Sequence, residues 1–392
     1  MDITLDEDQT LLHETALSFA QSALTPKRIR ELETTPDGFD TGVWKEMAQM
    51  GWAGAPFPEI YGGAEVGPFE LGLIVEALGQ GALPSPLFSS VIEVGMLLLD
   101  AGSEDQKREW LPQIASGDAI LTTAITEAGG GLSPQEIRAR IEPTGNGFRI
   151  DGAKLFVRDA GAAKAIICLA RAGNKPDELT LALVRTDAPG ITRRRLDAAG
   201  GEALWEVRFE NVTVDADAIV GQSGQAWPHV ARLLLRGAAF KAAELVGIGK
   251  ASLALTLDYA KTRIQFDKPI GSFQGVQHHC AEMFRDLEVS RLLAWQAAGS
   301  LGDGLAGARE VAIAKLKCSR AIPALTRTAH QIHGAIAYYR DYPLELFYHR
   351  AIAAQAAYGD AAHHRRVLAA MLTNDLPQFR GQGRHELPVH YF

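Results

Sequence analysis

The hydrophobic period of this chain changes twice, from helical to strand-like and back again, and that order restricts the fold more than any other feature. In the first portion Leu11, Leu12, Phe19 and Ala20 recur at helical spacing, turning an apolar stripe to one side. Thr4-Leu5-Asp6-Glu7 fits the capping-box pattern, in which a hydroxyl and a carboxylate satisfy free amides at a helix start. A Gly/Pro-rich loop over 56–67 precedes an apolar helix through Leu71, Ile74, Val75 and Leu78, and helical pattern resumes over 91–117.

Between 118 and 222 the period becomes two. Residues 178–183 and 205–210 alternate apolar and polar, as a strand does when one face is buried and the other wet. Gly145-Asn146-Gly147 and Asp151-Gly152 supply turns between strands. After a short glycine-bearing boundary, Leu245, Ile248, Ser252, Leu255 and Tyr259 again mark one helix face. Alanine-rich helices are expected over 275–302, 306–334 and 342–373. The expected class is α+β, in three domains: an N-terminal helical domain over 1–117, a middle antiparallel β-barrel or sandwich over 118–222, and a C-terminal four-helix bundle over 223–392.

Composition narrows the function. The formal net charge is −8 and the arginines are scattered, which speaks against a nucleic-acid partner. The densest basic run, Arg193-Arg194-Arg195, reads as a solvated strand face. Cys168, Cys280 and Cys318 lie far apart with no CxxC spacing, so neither disulfides nor zinc are signalled, and reduced thiols in a cytoplasmic protein are expected. No apolar run approaches the roughly 18 residues of a membrane span. The pairs His278-His279 and His363-His364 sit about 100° apart on a helix and share a metal poorly, so no metal is expected.

The usual nucleotide signatures are missing. No GxGxxG follows a strand, no GxxxxGK[ST] occurs, and Gly247-Ile248-Gly249-Lys250 sits inside a helical pattern, where packing explains it. Five other segments, in order, carry a resemblance: PEIYGG at 58–63, ITEAGGG at 125–131, GFRIDGAKLFV at 147–157, RIQFDKPIGSFQGVQ at 263–277 and QIHGAIAYYRDYPLE at 331–345. Together they resemble the acyl-CoA dehydrogenase family over nearly the whole chain. The resemblance implies bound FAD, an acyl-CoA substrate and desaturation of the thioester between its α and β carbons. It also implies flavin contact by Thr126, and pyrophosphate and adenine contact from a neighbouring subunit by Arg263, Phe266 and Gln274. The stretch from Gln331 to Ala335 would lie along the same dinucleotide. Guanidinium donors suit phosphate oxygens, and Gly334 allows close backbone approach. His333 reads as a structural hydrogen-bonding residue.

The family's catalytic base, a glutamate in one of two places, is missing from both. The commoner place holds Tyr358 and the other holds Gly237. An unperturbed tyrosine is only about one part in a thousand phenolate at pH 7. Glu244 lies seven residues beyond Gly237, about 10.5 Å along the helix and too far for the same pose. Asp360 is the best remaining candidate if a loop aims it at the substrate. Arg158 replaces the family's flavin-facing threonine, Leu132 replaces a serine, and Ala335 and Ala337 replace glycines. Two readings stay open. One is an active dehydrogenase with a displaced base, passing electrons to electron-transfer flavoprotein. The other is a silent subunit that completes the FAD site of an active homologue. A homo-oligomer or a heteromer fits either.

Overall fold

A computed structural model of the chain describes residues 4–302 and 305–375. The first region is helical: α1 (Glu7–Ser22), α2 (Pro26–Leu32), α3 (Thr41–Gln49), α4 (Pro68–Gln80), a π-helical stretch (Leu87–Gly95) running into α5 (Met96–Ala101), and α6 (Glu104–Ala115). The second holds β1 (Leu121–Ala124), β2 (Arg140–Pro143), β3 (Gly147–Arg158), β4 (Ala165–Arg171), β5 (Leu179–Arg185), β6 (Ile191–Leu196), β7 (Leu204–Asp215) and β8 (Ile219–Val220). The third comprises α7 (Trp227–Thr262), a small ladder of β9 (Ile264–Gln265) and β10 (Lys268–Pro269), then α8 (Gln274–Gly299), α9 (Ala308–His333), α10 (Pro343–Ala356) and α11 (Ala361–Asp375). The expected α–β–α order and the bundle are present.

Three details differ from the sequence reading. The first cap forms two residues later than expected: Asp6 Oδ1 accepts from the Gln9 amide at 2.8 Å, and Gln9 Oε1 accepts from the Asp6 amide at 3.2 Å. A charged carboxylate suits the positive end of a helix better than the Thr4 hydroxyl does. The sheet is mixed rather than purely antiparallel. Its order is β6-β7-β3-β2-β4-β5-β8, with β1 alongside β4 and parallel to it. Two strands intervene between those neighbours, so no hairpin forces them antiparallel. Finally, the helix expected over 342–373 is broken between α10 and α11, where Tyr358 (φ 54°) and Gly359 (φ 90°) are left-handed. Two such residues in succession cannot continue a right-handed helix.

Helix α7 is the spine. Its Gly247 lies so close to α4 that a Cβ would overlap the Glu76 carbonyl, which accounts for the Gly-Ile-Gly-Lys run as packing. Glu76, fully buried on α4, accepts from Lys250 Nζ at 2.5 Å and Trp295 Nε1 at 2.8 Å, tying α4, α7 and α8 through one carboxylate. Among the described residues no helix is long and apolar enough to cross a membrane, and no group of three or more His, Cys, Asp or Glu could hold a metal ion. Cys168 and Cys318 are buried, and burial pushes their thiols up to about 11 and about 12. Cys280 is half-buried, and all three are free.

Candidate active site

Where the three domains meet, a cavity of about 650 Å³ opens between the β-domain and the α10–α11 break. One wall includes Glu93 of the π-helical stretch, a geometry frequent at functional sites. Ser90 Oγ donates to the Leu121 carbonyl at 3.0 Å and accepts from the Leu121 amide at 3.1 Å, which fastens this stretch to β1. One turn on, Glu93 is buried and accepts from Thr123 Oγ1 at 2.6 Å.

Tyr358 reaches across from the α10–α11 break and donates its phenolic proton to Glu93 Oε1. Arg158, at the end of β3, joins both: its Nη1 is 3.2 Å from Glu93 and 3.3 Å from the Tyr358 oxygen. Burial pushes the Tyr358 phenol well above its ordinary value, Arg158 opposes that shift, and Glu93 adds to it. At neutral pH Tyr358 is therefore a neutral donor. The charged chain continues inward. Arg158 Nη2 lies 3.7 Å from Glu202, which pairs with Lys241 at 3.0 Å, and Lys241 pairs with Glu244 at 2.6 Å. Burial pushes the Glu202 carboxyl up, but Lys241 and Arg158 together hold it well below the usual carboxylate range.

The β-domain wall is pinned by a second buried pair. Lys154 Nζ donates to Glu127 at 2.7 Å and to the Ile125 carbonyl at 3.1 Å, while Glu127 accepts from the Arg138 and Ala139 amides. Thr126 lies between the two anchored residues, and its carbonyl accepts from the Leu155 amide at 2.8 Å. Thr126, Leu155 and Phe156 line the cavity opposite Tyr358.

The expected site residues divide into two sets. Thr126, Tyr358 and Asp360 line this cavity, as do Arg158 and Leu132. Gly237 on α7 lies against Tyr358, where a Cβ would overlap the ring, so the two base positions meet. Asp360 is exposed at the edge. It accepts from the His363 amide at 2.7 Å, and that hydrogen bond holds its carboxyl below the usual range, as befits the cap of α11. Glu244 is committed to Lys241. The second set is separate: Arg263, Phe266, Gln274, Gln331 and Gly334 are all exposed. Tyr259 stacks on His333 at 4.4 Å and its carbonyl accepts from the Arg263 amide, so these two segments share one outer ledge. Gly334 takes φ 66° with open space around it. Conformation requires glycine there. Ala335 is exposed beside it and Ala337 is buried.

Sequence reasoning missed Glu93, Glu202 and Lys241. The available signal was a lone charge in an apolar helical run, Glu93 within 87–99 and Lys241 within 237–243, since such residues are almost never buried unless paired.

An α–β–α chain with a pocket at the triple junction, walled by a threonine loop and a proton-bearing side chain, has the architecture of a three-domain oxidoreductase. Comparison with known proteins makes the class specific. The models of the acyl-CoA dehydrogenase N-terminal, middle and C-terminal domains match residues 6–118, 122–212 and 224–373. Acyl-CoA dehydrogenase fadE12 of Mycobacterium bovis is 33% identical over 288 residues, covering 71% of this chain and 74% of the relative. Butyryl-CoA dehydrogenase from Megasphaera elsdenii superposes with a TM-score of 0.88 at 25% identity, over 95% of this chain and 100% of that one. A chain of the ChsE4-ChsE5 complex from Mycobacterium tuberculosis does so with 0.86 at 27%, over 96% and 99%. The chain belongs to the acyl-CoA dehydrogenase family, and it is an oxidoreductase of that family.

Proposed function

We propose that the chain binds FAD and desaturates an acyl-CoA thioester, with Tyr358 and Glu93 acting together in place of the family's glutamate. FAD, when bound, supplies the hydride acceptor for the β carbon. The volume of the cavity and its wall of Ile125, Thr126, Leu155 and Phe156 suit a flat ring. The exposed Arg263, Phe266, Gln274, Gln331 and Gly334 suit the diphosphate and adenine end of the cofactor bound to a second chain. An oligomer, of one chain or two kinds, follows from that division, with electron-transfer flavoprotein as electron acceptor and the cytoplasm as location. The domains divide at 117/118 and 222/223.

One observation carries the proton chemistry: Tyr358 stands at the base position and donates to Glu93. The α-proton moves to the phenol oxygen as the phenolic proton moves to Glu93 Oε1. Tyr358 is neutral before and after, so its high pKa is no obstacle, and Glu93 ends as the acid. Arg158 and Thr123 hold Glu93 in place. Asp360, engaged in capping α11, is not needed.

A second reading draws on the same side chain. Tyr358 spans the space between Gly237 and Glu93, where an acyl group would otherwise enter, and a chain plugged in this way would serve by completing a homologue's FAD site. The test is anaerobic addition of acyl-CoA to the purified, FAD-loaded chain. Bleaching of the flavin bands, slowed about 10²–10⁴-fold by Glu93→Gln, supports the first reading. An unbleached chain that raises the turnover of a co-purifying homologue overturns it in favour of the second.

A further inference from the structure

Behind Arg158 the structure contains a second, smaller space. About 70 Å³ lies on the far side of the Arg158–Glu202 pair, bounded by Asp159, Lys241, Glu244 and Arg350, with Leu78, Leu83 and Phe88 closing the remaining sides. By the measure of one probe sphere per water, this is room for about five water-sized atoms. It shares Arg158 and Glu202 with the large cavity, so that pair is the partition between the two. At 3.7 Å the pair is too long for a hydrogen bond, and it is the weakest link in the inner charged chain.

The polar residues lining this space are not fully used. Arg350 is buried, yet its Nε and Nη2 have no hydrogen-bond partner, and Nη2 approaches Glu33 only to 3.6 Å. Arg158 Nε is buried and unpartnered as well. Among the carboxylates, Glu202 accepts from Lys241 Nζ at 3.0 Å and Asp159 from Ser89 Oγ at 2.6 Å, while Glu244 Oε2 forms an ion pair with Lys241 at 2.6 Å without a hydrogen bond of its own. Three guanidinium nitrogens therefore remain without an acceptor, on ions whose charge the carboxylates largely balance. A buried donor without a partner keeps its full desolvation penalty, so such a site is completed by an acceptor. The charge balance disfavours an anion and favours a neutral oxygen.

Resting on the acyl-CoA reading given above, we infer that this space is the far end of the substrate site. It would take an acyl group that carries a neutral hydrogen-bond-accepting oxygen, a keto or hydroxyl group, held by Arg350 Nε and Nη2 and by Arg158 Nε. Arg350 is then a specificity-determining residue. A purely apolar tail would strip water from those donors without replacing it, and a site built to hydrogen-bond rejects such an analogue strongly.

Anaerobic calorimetric titration of the protein loaded with reduced FAD, which accepts no hydride, with paired CoA thioesters tests this without turnover. The pair is 5-oxohexanoyl-CoA and 5-methylhexanoyl-CoA, which differ by a keto oxygen against a methyl group, together with their longer homologues. The expected result is tighter binding of an oxo compound by at least about tenfold, roughly the worth of one charge-assisted hydrogen bond. In Arg350→Met that ratio should fall to near one while affinity for the methyl compound holds. Because both ligands are compared on one preparation, a partly unstable variant still reports the ratio, and Arg350→Lys should restore part of the preference. Equal or tighter binding of the methyl compounds by the unaltered protein, at every length, overturns the inference alone. Failure of every thioester to bind overturns it together with the acyl-CoA reading.

Discussion

The inner cleft and the outer ledge are built on opposite terms. In the cleft nearly every polar side chain answers to another of the same chain: Tyr358 to Glu93, Arg158 to both, Lys154 to Glu127, Lys241 to Glu202. On the ledge Phe266 is 84% exposed and Tyr338 76% exposed, next to the exposed Arg263 and Gln274. Buried charges must be paired where they stand, and in the cleft those partners come from the same chain. An exposed aromatic beside a guanidinium gains nothing from its own fold. The difference teaches that, on the reading proposed above, this chain would organise proton chemistry internally and leave dinucleotide binding to be finished by a second molecule.

That contrast can be broken in several places, beginning with the largest effect. Lys154→Met removes one half of a fully buried pair and leaves Glu127 uncompensated. A loss of about 3–5 kcal/mol in denaturant unfolding is expected, and FAD affinity should drop with the loosened Thr126 loop. A variant as stable as the parent would show that this wall is not held electrostatically. Gly237→Ala drives a methyl into the Tyr358 ring. About 1–3 kcal/mol of overpacking strain is expected, and the change in Tyr358 absorbance on alkaline titration would report the broken bond to Glu93.

Acid should release the same loop. His364 Nε2 lies 3.0 Å from the Tyr358 carbonyl, and burial pushes the imidazole down to about 3. The unfolded chain binds the proton near pH 6.5 while the folded chain does not, so stability rises with pH through that interval. This contribution is whole above about pH 6.5 and declines as pH falls toward 3. The slope of Tm against pH over that window should flatten in His364→Gln. The smallest effect sharpens the contrast from the other side: Phe266→Ser should change unfolding free energy by no more than about 0.5 kcal/mol, yet weaken FAD binding measurably in a fluorescence titration. If it destabilised the chain instead, the ledge would belong to the core.

The same contrast explains what could be read from the sequence. The period changes gave the α–β–α order because periodicity is local, and the ledge motifs were legible because their residues are close in sequence, as in the 263–277 segment. The parallel placement of β1 on β4 and the break before Ala361 were not legible. Alanine-rich sequence favours helix over 351–357 and again from Ala361, and the break falls on the left-handed Tyr358-Gly359 pair between them. The cleft was read least well. Glu93 and Tyr358 are 265 positions apart, and Arg158 and Tyr358 are 200 apart, so no local pattern joins them. Asp360 was attractive because it is the nearest carboxylate in sequence. The folded chain instead brings one from the π-helical stretch of the first domain.

The central claim is that Tyr358 and Glu93 handle the α-proton, and exchange of that proton with solvent measures it directly. A CoA thioester labelled with deuterium at the α carbon, incubated with the FAD-loaded chain in ordinary water, should lose its label. The loss should nearly stop in Tyr358→Phe and in Glu93→Gln while thioester binding persists. Wash-out at the parent rate in Tyr358→Phe, or retention of label by the unaltered chain, would contradict the account.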